Sequence, residues 1–243
     1  MKDWFSTIAS SSELPPDVEQ ELHDTGFVVI PGPVPSSNLA QLAAAYDAAV
    51  SSADPKDVGI GGTTTRVSDF VNRGAAFDEI YIHPPILAAC CRVIDRPFKL
   101  STMHARTVNP NSPPQGLHVD FAREEKGWPM VGFILMIDEF REENGATRFL
   151  PGSHRWRQVP VNLTQGSVDY EGEVSACGSA GSVIVYNGSI WHGHGANRTS
   201  QPRRSIQGAY IHRDATSGAN LSARMLPETL ARISPLAKYL LAV

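Results

Sequence analysis

Gly116-Leu117-His118-Val119-Asp120 is the stretch on which the reading of this chain turns. In a β-strand, residues i and i+2 point the same way. His118 and Asp120 would therefore present one imidazole and one carboxylate to a single point in space. Pro113-Pro114-Gln115 leads the chain in through a turn. No cysteine stands nearby, so an ion held here would meet nitrogen and oxygen donors rather than thiolate. The plain alternative is a surface strand whose two polar side chains face water, and His-x-Asp alone does not exclude it.

A third donor lies far downstream. The apolar run Ser182-Val183-Ile184-Val185-Tyr186-Asn187 feeds into Gly188-Ser189-Ile190-Trp191-His192-Gly193-His194-Gly195. His192 and His194 share a strand face, so parity does not choose between them. Two histidines and one carboxylate leave other positions of an octahedron open, the arrangement used by non-heme Fe(II) oxygenases. Pro202-Arg203-Arg204-Ser205 follows. A dicarboxylate co-substrate needs a cation at its far end, and the planar fork of Arg binds a carboxylate bidentately. Arg203 and Ser205 fall on one strand face and Arg204 on the other, so Arg203 with Ser205 as an accessory hydroxyl is the coherent pair. Without the upstream donors, the same residues would read as two solvated arginines on an edge strand. His104 and Arg106 alternate on one face of the period-two run that starts at Phe98, and either can reach the same pocket.

The surrounding pattern is mainly β with flanking helices. Strands are expected at 98–106, 115–121, 130–137, 146–150, 183–187 and 203–212, separated by Gly, Pro and Asn clusters, which suggests a jelly-roll core. Before them, Pro15-Pro16-Asp17 opens a helix that closes near Gly26, and Phe27-Val28-Val29-Ile30 reads as a strand. Ser36-Ser37 is placed to cap a second helix with Leu39, Leu42, Tyr46 and Val50 on one face, and Pro84-Pro85 starts a third that Pro97 ends. Residues 51–80, rich in Gly, Ser, Asp and Thr, read as a loop and a candidate lid. Asn144-Gly145 is a turn signal. Pro151-Gly152-Ser153-His154-Arg155 reads as a structural loop, with His154 no ligand. Residues 226–241 read as a closing helix interrupted near Pro235. The whole is expected to be one domain over 1–243: a helical part to about 97, a β-core over about 98–215 and a C-terminal helix over about 222–241.

Composition narrows the function classes. The 243 residues carry 21 basic and 25 acidic side chains for a net charge of −4, with no basic block, which speaks against nucleic acid. No run approaches the roughly 18 apolar residues of a membrane span. The opening Met1-Lys2-Asp3-Trp4 carries no apolar leader-like stretch. Three cysteines, two of them the adjacent Cys90-Cys91, suggest a reduced, cytoplasmic setting. Oligomeric state has no signature in the sequence.

Taken in order, these motifs resemble the phytanoyl-CoA dioxygenase family of Fe(II)/2-oxoglutarate oxygenases. The likeness covers most of the chain. It begins with Glu21-Leu22-His23-Asp24-Thr25-Gly26-Phe27-Val28-Val29-Ile30, runs through Leu117-His118-Val119-Asp120, Glu143-Asn144-Gly145-Ala146 and Leu150-Pro151-Gly152-Ser153-His154, and ends with Trp191-His192-Gly193-His194-Gly195-Ala196-Asn197 and Pro202-Arg203-Arg204-Ser205. The resemblance implies a double-stranded β-helix (cupin-like) core and an Fe(II) ligand set of His118, Asp120 and His192. It also implies 2-oxoglutarate bound by Arg203, O2 as oxidant, and a small-molecule substrate such as a secondary-metabolite intermediate. The family often carries a small hydroxyl residue two positions after the distal His. Here that position is His194, which becomes either a co-substrate contact or a substrate-facing group. Asp120 itself argues against the halogenating relatives, which carry Ala or Gly there. The competing expectations are a cupin-like hydrolase or isomerase on Zn²⁺ or Mn²⁺, and a non-catalytic binding module on the same core.

Overall fold

The computed structural model describes residues 3–158, 160, 163 and 169–243. Its strands are β1 (Phe27–Pro31), β2 (Val58–Ile60), β3 (Thr64–Val67), β4 (Phe98–Val108), β5 (Met130–Met136), β6 (Thr147–Phe149), β7 (Val174–Ala176), β8 (Ser182–Asn187), β9 (His192–His194) and β10 (Arg203–His212). Seven of them form one sheet in the order β1-β8-β5-β10-β4-β3-β2, and β7-β6-β9 form a second. Every pairing is antiparallel.

β5 is buried along its whole length because the large sheet is covered on both faces. Val131, Phe133 and Leu135 of β5, with Val183 and Val185 of β8, face a helical layer. That layer is built from α1 (Trp4–Ser11), α2 (Pro16–Thr25), α3 (Leu39–Ser51), α4 (Pro84–Val93) and the short C-terminal helices α5 (Leu221–Arg224), α6 (Pro227–Arg232) and α7 (Pro235–Leu241). Ile134, Met136, Ile184 and Tyr186 point the other way, onto Phe149 and Ala176 of the small sheet. Period-two alternation thus sorts one apolar strand into two cores. This is the jelly-roll architecture expected from the sequence, mostly antiparallel sheet with flanking helices.

Several local expectations are corrected. Segment 115–121 is not a regular strand; among the described residues it forms one isolated bridge, His118 with His192, and a main-chain bond from the Gln115 N–H to the His194 carbonyl at 3.0 Å. The stretch expected as a loop over 51–80 contains β2 and β3, which extend the large sheet past β4. Short strands of this kind, joined by a Gly-Gly-Thr turn, form through the partner they pair with rather than by propensity. Ser36–Asn38 is a 3-10 turn, and α3 starts at Leu39 with no side-chain cap. The closing helix is interrupted at Pro235 as expected, running as α6 and then α7, which restarts with Ser234 as its cap. Helix α1, capped by the Asp3 carboxylate on the Ser6 N–H, has no counterpart among the expected elements.

Candidate active site

Backbone pairing builds the centre. His118 and His192 exchange both main-chain bonds, N–H to carbonyl, at 2.9 Å each. Two residues on, the N–H groups of Asp120 and Phe121 both donate to the Gly188 carbonyl at 3.0 Å. One donor atom from each of His118, Asp120 and His192 then lies within 4.8 Å of the others. His118 Nε2 stands 3.7 Å from Asp120 Oδ1, and His192 Nε2 stands 3.5 Å from Asp120 Oδ2.

The tautomers are fixed by local bonds. His192 Nδ1 lies 2.9 Å from the Ile190 carbonyl and His118 Nδ1 lies 3.3 Å from that of Gly116. A carbonyl only accepts, so each Nδ1 carries the proton and each Nε2 turns a lone pair inward. Burial, then the neighbouring His192, pushes His118 down to about 4. Burial works to raise Asp120, but His192, the Tyr186 hydroxyl, His118 and Arg106 together hold it below the ordinary carboxylate value. Neutral imidazole and ionised carboxylate are the protonation states a divalent metal requires.

Tyr186 was missed by sequence reasoning, which read it as part of an apolar strand. It is buried and donates its hydroxyl to Asp120 Oδ2 at 2.7 Å. Its ring lies across Gly132 of the neighbouring strand, where any Cβ would collide with it. Nothing in a single sequence marks these two positions as partners.

Arg203 is the largest fully buried side chain, with 1% of its surface exposed. Its Nε and Nη1 have no hydrogen-bond partner, and its guanidinium lies 4.0 Å over the Phe140 ring. Burial, then Arg106, lowers it to about 9, which still leaves it charged at neutral pH. Ser205 shares its face and is completely buried, with Oγ donating to the Arg106 carbonyl at 3.0 Å. Arg204 faces outward and is paired with Asp138 and Asp47. His194 is not drawn to the metal triad. Its Nδ1 donates to the Gly195 carbonyl at 2.8 Å and its Nε2 accepts from Thr63 Oγ1 at 3.1 Å, so both nitrogens are engaged by protein. His154 packs against Gly26, with Nε2 at 3.2 Å from the His23 carbonyl, as a structural residue.

A cavity of about 310 Å³ opens at the triad, lined by His118, Asp120, Phe121, His104, Arg106 and Arg66 among others. A β-bulge where β4 pairs with Ala209 and Tyr210 brings Ser101 into this wall beside Thr102. An outer hollow of about 610 Å³ shares Arg66, Thr102, His104 and Gly218 with it. Gln115, whose amide oxygen accepts from Arg106 at 2.8 Å, is a second polar group the motifs did not mark.

A jelly roll with two His and one carboxylate drawn together, and an unpaired Arg buried in the same core, fits the non-heme metal oxygenase class. Residues 22–205 match the phytanoyl-CoA dioxygenase (PhyH) family, and the chain belongs to it. It is a dioxygenase of the Fe(II)/2-oxoglutarate-dependent kind, with iron, 2-oxoglutarate and O2 as that family's cofactor and co-substrates. Dioxygenase olcK of Penicillium canescens is 29% identical over 213 residues, 78% of this chain and 68% of that protein. Four other relatives are matched over 24% to 55% of their length and three over 68% to 81%. HygX of Streptomyces hygroscopicus, solved with nickel and 2-oxoglutarate, shares the fold with a TM-score of 0.70 at 16% identity, over 84% of this chain and 90% of that one. The non-heme alpha-ketoglutarate-dependent carbocyclase SnoK from nogalamycin biosynthesis does so at 0.71 and 19%, over 88% and 92%. No helix among the described residues is long and apolar enough to cross a membrane.

Proposed function

We propose that His118, Asp120 and His192 hold Fe(II), that Arg203 receives the far carboxylate of 2-oxoglutarate, and that the enzyme oxidises a small natural-product intermediate. The observation that carries this reading is Arg203: a buried cation with two unbonded nitrogens is costly unless an anion arrives. At such a centre, Fe(II) with 2-oxoglutarate supplies reductive activation of O2 coupled to decarboxylation to succinate and CO2, ending in removal of a substrate hydrogen. Hydroxylation is the default outcome, with desaturation, ring closure and epimerisation open to the same chemistry. Tyr186 holds one oxygen of Asp120 so that the other is left for the metal. His194 braces the β2–β3 connection through Thr63, and burial keeps its ring neutral. A carboxylate has no proton to give, so Ser205 would contact 2-oxoglutarate only by swinging its hydroxyl hydrogen off the Arg106 carbonyl. HygX has been solved with hygromycin B, and an antibiotic-like intermediate suits the mixed polar and apolar cavity here. The free thiols of Cys90, Cys91 and Cys177 fit action in the reducing cytoplasm. The test is succinate release from 2-oxoglutarate by the iron-loaded protein and by Asp120→Ala. Wild-type turnover that the substitution abolishes supports the assignment, and equal turnover in both refutes it.

A further inference from the structure

Arg66 and Arg106 stand directly opposite each other across β3 and β4, and both line the cavity at the triad. Like charges directly opposite on paired strands destabilise a sheet. Among the described residues neither has a carboxylate partner. Arg106 is buried, yet it bonds only to amide oxygens, Gln115 at 2.8 Å and Gln207 at 3.5 Å, and its Nε bonds to nothing. Three part-buried arginines of this chain, by contrast, are paired with carboxylates: Arg73 with Asp57 at 3.1 Å, Arg204 with Asp138 at 2.7 Å and Arg232 with Asp78 at 2.8 Å. The one carboxylate in the cavity wall, Asp120, is committed to the metal.

The charge of the loaded site makes the exception sharper. Fe(II) and Arg203 are balanced by Asp120 and the two carboxylates of 2-oxoglutarate. Arg66 and Arg106 remain uncompensated: Arg66 stands exposed at the cavity's edge, while Arg106 is buried where water is excluded and its charge acts over longer range. We infer that the substrate is an acid, its carboxylate received by Arg66 and Arg106 on the β3–β4 wall. The inference rests on the oxygenase reading above and deepens it. His104, between the metal side and this wall, stays neutral because burial, Arg66 and Arg106 push it down to about 4, so it adds no third charge. Phe121, Met130 and Ile211 are left to cover the carbon skeleton. The mild negative charge of the whole chain does not oppose this, because the local field is set by the arginines facing the cavity.

The experiment uses the Zn(II)-loaded protein saturated with 2-oxoglutarate and titrates it with acetate, with acetamide as the neutral control, at constant ionic strength. Thermal unfolding and calorimetry read the binding. The expected result is saturable stabilisation by acetate and none by acetamide. Acetate binding should weaken about fivefold or more in Arg66→Gln and Arg106→Gln, while 2-oxoglutarate affinity stays within about threefold. Acetate no better than acetamide, or acetate binding unchanged in both variants, overturns the proposal. So does a loss that falls on 2-oxoglutarate instead, which would assign the arginines to the co-substrate. Arg66 is exposed on a short strand, so Arg66→Gln decides the matter if Arg106→Gln fails to fold. Failure of the wild type to bind 2-oxoglutarate at all would instead strike the oxygenase reading itself.

Discussion

Replacing Arg203 with Met should make the ligand-free protein more stable while destroying its affinity for 2-oxoglutarate. The guanidinium is 1% exposed, has no carboxylate partner among the described residues, and leaves Nε and Nη1 unbonded. Exchanging buried charged groups for apolar ones of similar volume stabilises by about 1–4 kcal/mol. The stacking on Phe140 at 4.0 Å offsets part of that, since a desolvated cation–π contact contributes up to about 2 kcal/mol. With about 1 kcal/mol taken off for that contact, a net gain of about 0–3 kcal/mol remains, and at roughly 2–4 °C per kcal/mol for a chain of this size Tm should rise by up to roughly 12 °C. For the co-substrate the sign reverses. Truncating one partner of a buried charge pair costs about 2–5 kcal/mol, so Kd for 2-oxoglutarate should rise from roughly 30-fold to several thousand-fold. Thermal unfolding of the metal-free protein and calorimetric titration of the Zn(II) form measure the two effects. A lower Tm with an unchanged Kd would refute the reasoning, because it would mean that the guanidinium serves the fold and not a ligand.

Two further outcomes follow from the packing. Tyr186→Phe removes the 2.7 Å bond to Asp120, and loss of a group that orients a metal ligand should lower Zn(II) affinity by about 10- to 100-fold in chelator competition. Gly132→Ala, which drives a methyl into the Tyr186 ring, should show the same affinity loss together with overpacking destabilisation of about 1–3 kcal/mol in urea unfolding. His154 gives a pH test away from the metal. Burial, then Arg155, pushes it from 6.5 to about 4. Below pH 6.5 the unfolded chain therefore takes up a proton that the folded chain refuses, and stability falls as pH drops toward 4, by about 3 kcal/mol in all. His154→Gln should lose stability less steeply over that window, with the two curves parallel above pH 7; identical slopes at pH 5 would contradict the assignment.

The parts of the site that were legible in the sequence are those encoded by local parity. Arg203 and Ser205 turning inward while Arg204 turns out to Asp138 follows from period two along one strand. The same logic placed His104 and Arg106 on one face, and both line the cavity. The 115–121 strand was over-read for the converse reason. His118 and Asp120 do converge, but the segment is held by one bridge and by the Gly188 carbonyl, contacts with residues about 70 positions away that no local pattern reports. Tyr186 was illegible because its role depends on Gly132 opposite it and on Asp120, neither of them a neighbour in sequence. The β2–β3 hairpin was hidden by its glycines and threonines, which acquire strand conformation only beside β4.

The division of labour in the site follows from how its groups are held. The proposed metal donors are placed by main-chain bonds: the reciprocal pair between His118 and His192, the two N–H groups on Gly188, and a backbone carbonyl behind each imidazole. Substitutions on the β3–β4 wall do not touch those bonds, so Arg66, Arg106 and His104 can change while ring orientation and tautomer stay fixed. A donor set already oriented in the folded chain also leaves little ordering cost for the ion to meet. The wall residues are held differently, by amide contacts or by none, and their charge is balanced only when ligand arrives. Reactivity is therefore tied to the backbone of residues 116–121 and β9, and selectivity to replaceable side chains on β3, β4 and β10. Metal affinity should then be nearly indifferent to changes at Arg66, whereas Arg106, which helps hold Asp120 ionised, ties the wall to the centre.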